Sequence, residues 1–174
     1  MSDVLTHPNP DKFDSKFIPA TGAIENVKIY IIGDVPTEDD VKSRKPFSGR
    51  LGQYFQSMVK IAGIDESTIR YSNCIPYRPI DKSISGREIN RAVSVDEISL
   101  YKIFIFKDIE RVNPEKIVCL GRTAMNIFSI DESVTSARSK TYYHNNIPVN
   151  VTYHPSYVDR NGGDNSNAYN DVIS

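Results

Sequence analysis

Asp34, Phe47, Asn73 and His154 are residues whose types and placement could do chemistry together. Asp34 follows the apolar run VKIYIIG, Phe47 lies just beyond it, Asn73 follows TIRYS, and His154 follows IPVNVTY. An aromatic face and an amide suit a flat heterocycle, because the ring stacks and the amide pairs with an adjacent N–H and C=O. A carboxylate beside them can orient a water. A neutral imidazole can donate a hydrogen bond to an oxygen on which negative charge develops. The basic run KSRKPFSGR, with Lys45 and Arg50, could meet phosphate, and Arg70, Arg78 and Arg160 are candidate extensions of it. Taken singly, each has an ordinary reading as a helix cap, a turn residue or a hydrogen-bonded histidine.

These residues can act together only if the fold collects them. VKIYIIG (27–33) is a β-branched run closed by glycine, as expected of a strand buried on both faces. TIRYSNCIPY (68–77), PEKIVCLG (114–121) and IPVNVTYHPS (147–156) are three further predicted strands. Between them, 49–63 places Leu51, Phe55, Met58, Val59 and Ala62 at helical spacing, with Gly63 at its end. Residues 94–112 read as a long helix, started by a Ser94/Glu97 capping box, with Leu100, Ile103, Phe104, Phe106, Ile109 and Val112 on its apolar side. Residues 122–130 read as a short helix, 78–88 and 161–168 as loops, and YNDVIS as a helix that the chain end cuts off. The alternation predicts an α/β protein. Its expected form is a three-layer α/β/α sandwich around a central, mostly parallel four-stranded sheet. Such sheets bind ligands beyond the carboxyl ends of their strands, which is where the four residues fall. A polar, proline-containing stretch, 1–26, is expected as an irregular lead-in to a single domain, 27–174.

Composition narrows the classes. The 174 residues are 39% hydrophobic and 25% charged, which suits one globular domain. No apolar run spans a membrane, and the N-terminus does not read as a signal peptide, so a cytoplasmic protein is expected. Cys74 and Cys119 read as two buried free thiols. No CxxC, His/Cys cluster or HExxH occurs, so no metal and no cofactor are expected. GRTA lacks the spacing and the lysine of a phosphate loop. The net charge of -1 counts against a broadly basic nucleic-acid binder but leaves room for a local patch.

Five segments, in order, resemble the uracil-DNA glycosylase superfamily, and most closely its family 4. They are GDVPT with EDD, KPFSGRLG, SNCIPYRP, PEKIVCLGRTA and HPSYVDR, and the resemblance covers about residues 18–174. It implies a DNA repair hydrolase that cleaves the N-glycosidic bond of a flipped-out uracil, or a related base. It implies that Asp34 and Asp40 position the attacking water, Phe47 stacks on the base, Asn73 pairs with its edge, and His154 stabilises the departing anion. Ser156 and the SYVDR segment would approach the DNA backbone and fill the gap left by the base. The implied partner is DNA, uracil-containing or single-stranded.

The sequence departs from the family in three ways. Family 4 members hold a [4Fe–4S] cluster on four cysteines, whereas the positions of those cysteines are empty here, so no cluster is expected. Asp34 stands where the family has Glu, and Thr37 where it has Gly. Asp159 stands where an apolar wedge is usual. The cluster-free chain is similar to a domain at the N-terminus of some phage DNA polymerases. The readings that remain are an active glycosylase, a catalytically impaired module binding DNA or a DNA polymerase as a replication accessory, and an unrelated α/β domain for a small nucleotide or base.

Overall fold

Short β-branched and aromatic runs become the strands of one sheet. The computed structural model describes residues 10–174, so the first part of the expected lead-in lies outside the described residues. In chain order the elements are β1 (Thr21–Gly22), β2 (Ile29–Ile32), α1 (Glu38–Ser43), α2 (Arg50–Ile61), β3 (Ile69–Ser72), β4 (Ile80–Lys82), β5 (Glu88–Asn90), α3 (Val95–Val112), β6 (Lys116–Leu120), α4 (Gly121–Met125), α5 (Val134–Ala137), β7 (Tyr142–His144), β8 (Ile147–Thr152), α6 (Pro155–Arg160) and α7 (Asn167–Ile173).

The main sheet has six strands in the order β1-β3-β2-β6-β8-β7. Its centre is the four predicted strands, β3, β2, β6 and β8, all parallel. The antiparallel strands β1 and β7 close its edges, so the sheet is larger than the predicted four. They are two and three residues long, too short to leave an alternation in the sequence. β1 lies in the segment expected to be irregular, and Phe13 and Ile18 of that segment are buried.

Alternate side chains of each strand feed the two outer layers. Tyr30 and Ile32 of β2 and Ile117 and Cys119 of β6 pack with α3. Ile31 of β2, Ile69 and Tyr71 of β3, and Leu120 pack with Phe55 and Val59 of α2. Met58, Tyr153, Val158, Ala168 and Tyr169 extend that second layer to α6 and α7. The three-layer sandwich is thus present.

Two local expectations are corrected. The capping box of α3 forms as predicted, but the helix buries Ile98, Tyr101, Ile105, Ile109 and Val112 while Leu100 and Ile103 stay 43% exposed. Apolar residues lie on more than one side of this helix, and the sheet selects the side that carries Tyr101. The predicted loop 78–88 instead contributes to an antiparallel hairpin, Ile80–Lys82 with Glu88–Asn90.

Arg70 and Arg78, read as extensions of a basic surface, are buried. Arg70 forms a two-pronged ion pair with Asp108, Nε to Oδ2 at 2.6 Å and Nη2 to Oδ1 at 2.9 Å. Tyr30 Oη donates to the same carboxylate at 2.8 Å. Burial raises the Asp108 carboxyl, but hydrogen bonds from Arg70, Arg111 and Tyr30 outweigh it and hold it below its ordinary value. With the Tyr30 hydroxyl, this pair ties α3 to β2 and β3.

Candidate active site

The carboxyl ends of β2, β3 and β8 open into one cleft of about 390 Å³. Its lining brings together Asp34, Asp40, Phe47, Asn73 and His154, with Arg50 and Ser156 at the same cleft. Lys45 and Arg160 are exposed and do not line it.

Asp40 is only 3% exposed. It is the N3 residue of α1, in a capping box that Thr37 begins. Asp40 Oδ2 accepts from the Thr37 N–H at 3.2 Å and from Asn73 Nδ2 at 3.1 Å, and Oδ1 accepts from the Ser48 N–H at 2.9 Å. Thr37 Oγ1 in turn accepts from the Asp40 N–H at 3.4 Å, a side-chain cap that the glycine of the resembled motif would not provide. Every partner of these oxygens is an N–H, so Asp40 acts as an acceptor-only carboxylate. Burial raises its pKa above the usual 3.8, against the pull of the same hydrogen bonds.

Asn73, at the end of β3, is buried. One amide N–H is spent on Asp40. Because Asp40 can only accept, the amide cannot turn round without setting Oδ1 against a carboxylate. Oδ1 and the second N–H of Asn73 thus remain for a ligand.

Phe47 adopts a left-handed backbone, φ 60°. Its ring is tilted against Tyr71 at 5.2 Å and Phe55 at 5.7 Å between centroids. A Cβ at Gly33 would lie 2.7 Å from Phe47 Cζ, so the glycine that ends the first long strand is what lets the aromatic wall approach. A Cβ at Gly52 would lie 2.3 Å from the Phe47 carbonyl oxygen, so α2 packs against the same residue from beyond.

His154 caps the N-terminus of α6. Its Nδ1 accepts from the Ser156 N–H at 3.2 Å and lies 2.7 Å from Ser156 Oγ. A backbone N–H can only donate, so Nδ1 carries the lone pair and Nε2 the proton. Burial holds the imidazole below its ordinary 6.5, with Asp34 opposing that shift and Arg160 adding to it. The ring is therefore neutral at neutral pH and keeps Nε2–H as a donor. Asp34 Oδ1 accepts from the Val35 N–H at 2.9 Å, and its Oδ2 has no protein partner among the described residues.

SYVDR is not a free loop. It lies in α6, and Val158 within it is fully buried. Asp159 receives a two-pronged ion pair from Arg50, at 3.2 and 2.8 Å. The acid in the wedge region is thus matched by the cation beside it, and Arg50 is not free for phosphate in this state. Sequence reasoning also missed Asn90. It lines the cleft, donates to the Pro36 carbonyl at 3.2 Å and accepts from Arg78 Nε at 2.7 Å. No motif marks it, because only the hairpin carries it there.

The donors of this chain do not fit a four-thiolate cluster. Both cysteines are fully buried, and burial raises both thiols. Among the described residues no group of three or more His, Cys, Asp or Glu could hold a metal. No helix among them is long and apolar enough to cross a membrane.

Comparison with known proteins bears on the family and the fold. The profile of the Uracil DNA glycosylase superfamily matches residues 19–173. A type-4 uracil-DNA glycosylase of Thermotoga maritima is 30% identical over 139 residues, 78% of this chain and 68% of the relative. One of Archaeoglobus fulgidus is 24% identical over 156 residues, 84% of this chain and 74% of the relative. The crystal structure of Pedobacter heparinus SMUG2 shares the fold, with a TM-score of 0.59 at 12% identity, covering 84% of this chain and 72% of that one. With its motifs gathered in one cleft and its profile matched over nearly the whole length, the chain belongs to the uracil-DNA glycosylase superfamily.

Proposed function

We propose that the protein hydrolyses the N-glycosidic bond of uracil in DNA. The observation that carries this reading is the Asp40–Asn73 pair, 3.1 Å apart in the cleft. It leaves an acceptor, Oδ1, beside a donor, N–H, and uracil presents the complementary pair, N3–H beside C4=O. Cytosine presents the reverse and is refused.

A base inside a duplex is out of reach, so it is rotated into the cleft at a cost of about a few kcal/mol. Phe47 offers it a stacking face, and Asn73 reads its edge. The C1′–N1 bond breaks with its electron pair leaving on the base, and the sugar gains oxocarbenium character. His154 Nε2–H donates to the uracil oxygen on which that charge accumulates. Asp34, the carboxylate with a free oxygen, favours the cation, orients the water that adds to C1′ and accepts its proton. Asp40 acts one step back, as the residue that positions Asn73. Arg160 and Lys45, exposed and without an ion-pair partner among the described residues, meet the DNA backbone.

Incubation with an oligonucleotide carrying one uracil, followed by alkali, tests this. The unmutated protein yields a cut strand, and the Asp34→Ala and His154→Ala variants do not.

A second reading is a module that binds DNA, or a DNA polymerase, without turnover. Asp34 favours it, because the shorter side chain draws the carboxylate back by about one methylene from where a glutamate would hold it. Retained DNA binding with no cut strand would select that reading.

A further inference from the structure

Away from the cleft, one buried cation has donors to spare. The Arg78 side chain is only 6% exposed. Its Nε donates to Asn90 Oδ1 at 2.7 Å, but Nη1 and Nη2 make no hydrogen bond among the described residues. Glu88 Oε2 stops 4.0 Å from Nη1, beyond hydrogen-bond reach. Arg78 lines a cavity of about 380 Å³ between the N-terminal segment, α1 and the β4–β5 hairpin. Glu88 lines the same cavity, so the free end of the guanidinium is the end turned towards it.

We propose that this cavity is a site for a phosphate monoester, with the Arg78 guanidinium as its floor. Such a site stands whether or not the cleft excises uracil. Donor geometry is the first ground. The Nη edge of an arginine is a planar fork that matches two oxygens of one phosphate. Out of bulk water its N–H groups cost free energy until an acceptor meets them, and this fork has no protein acceptor among the described residues.

Charge is the second ground. Lys16, Lys42 and Arg87 also line the cavity, against the carboxylates of Asp14, Glu38 and Glu88. Asp14 Oδ1 accepts from the Lys16 N–H at 2.9 Å, and Glu38 is held by Lys42 at 2.7 Å. Arg87 comes only to 4.0 Å from Glu38, and Lys16 has no ion pair among the described residues. Glu88 is the acid left to compete for the fork, and its side chain is half exposed at the rim. A carboxylate ligand would supply two oxygens, which the fork alone fills. A phosphate monoester supplies a third oxygen and a second charge, which suit Lys16 and Arg87.

The covered floor decides how the phosphate arrives. A backbone diester carries a sugar on each side and is kept off it, whereas a monoester reaches it end-on. Free phosphate, a nucleoside monophosphate and the phosphorylated end of a DNA strand share that chemistry. Asn90 links the site to the cleft, because it accepts from Arg78, donates to the Pro36 carbonyl at 3.2 Å and lines the cleft.

The test titrates inorganic phosphate, thymidine 5′-monophosphate and a short uracil-free oligonucleotide, with and without a 5′-phosphate, into the protein at constant ionic strength. Phosphorus NMR follows the free probes and anisotropy the oligonucleotides. Arg78→Gln and Glu88→Gln are compared with the unmutated protein, and their melting temperatures are measured. Expected is saturable binding of a monoester, weakened about 10-fold or more in Arg78→Gln, the scale of lost charge-assisted hydrogen bonds. Glu88→Gln, which removes the competing acid, should bind about 2- to 5-fold more tightly. Binding of the free probes assigns a free phosphate, and binding of the 5′-phosphorylated oligonucleotide alone assigns a strand end. No saturable binding of any monoester by the folded protein, or an oligonucleotide bound equally with and without its 5′-phosphate while the free probes do not bind, would overturn the site. So would an undiminished affinity in folded Arg78→Gln. Should Arg78→Gln not fold, the hairpin variant decides: unchanged or weaker phosphate binding in Glu88→Gln would mean that Glu88 serves only as the partner of Arg78.

Discussion

Replacing Asp40 by Asn separates two roles for that acid, a water-holder and the residue that fixes a base-reading amide. Its Oδ2 accepts from Thr37 N at 3.2 Å and Asn73 Nδ2 at 3.1 Å, and its Oδ1 from Ser48 N at 2.9 Å. An asparagine brings an NH₂ group where only acceptors fit. With the NH₂ in place of Oδ2, it opposes the Thr37 N–H and drives the Asn73 amide to turn. The turned amide offers N–H groups where uracil needs an acceptor. With the NH₂ in place of Oδ1, the Ser48 N–H loses its partner and the Phe47 loop loosens. Each orphaned buried N–H costs about 1–3 kcal/mol, and each tenfold step in rate is about 1.4 kcal/mol. The expected loss in kcat/KM on a uracil oligonucleotide is therefore about 10- to 100-fold. The ratio of uracil to cytosine release should also narrow, because a turned amide matches cytosine. Single-turnover release of each base by Asp40→Asn and the unmutated protein, followed by chromatography, measures both quantities. A similar loss with an unchanged ratio would refute the amide-fixing role and return Asp40 to the water.

Three other perturbations probe separate parts of the structure. Activity should hold through the ordinary histidine range and fall only at lower pH, as pH drops through the depressed pKa of His154, since protonation competes with the Nδ1 lone pair that accepts from Ser156. Stability should fall in the same direction, because the folded pKa of His154 is below its unfolded value and the unfolded chain binds more protons; denaturant titrations across pH 5–7 check the sign. Gly33→Ala would put a methyl 2.7 Å from the Phe47 ring, so it should lower base affinity and kcat/KM together, as seen in a substrate titration. Asp108→Ala leaves buried Arg70 without its carboxylate partner and should cost about 3 kcal/mol by denaturant unfolding, with activity per folded molecule unchanged, since neither residue lines the cleft.

The central strands were legible because burial on both faces demands runs such as VKIYIIG, and Gly33 and Asp34, which end the first of them, lie at the cleft edge. The ends of the sheet were not, since β1 and β7 are too short to show a period. Residue types found Asp34, Phe47, Asn73 and His154, and the resemblance added Asp40. Neither shows which acid keeps an oxygen without a hydrogen-bond partner, because that depends on which oxygens the fold already occupies. Arg70 and Arg78 were misread as surface cations, because sequence does not show the partners, Asp108 and Asn90, that take them inside. Asp159, adverse to DNA as a lone acid, is paired with Arg50, which lies far from it in the sequence.

Direct measurement of free uracil tests the central claim best. A single-stranded oligonucleotide with one uracil is incubated with the protein, with Asp34→Ala and with His154→Ala, and the released base is quantified by mass spectrometry. The account predicts stoichiometric free uracil from the unmutated protein, and a loss of at least about 100-fold in rate for each variant, the scale of a removed general base or oxyanion donor. No uracil from a folded protein that binds the oligonucleotide, or equal release by Asp34→Ala, would contradict it.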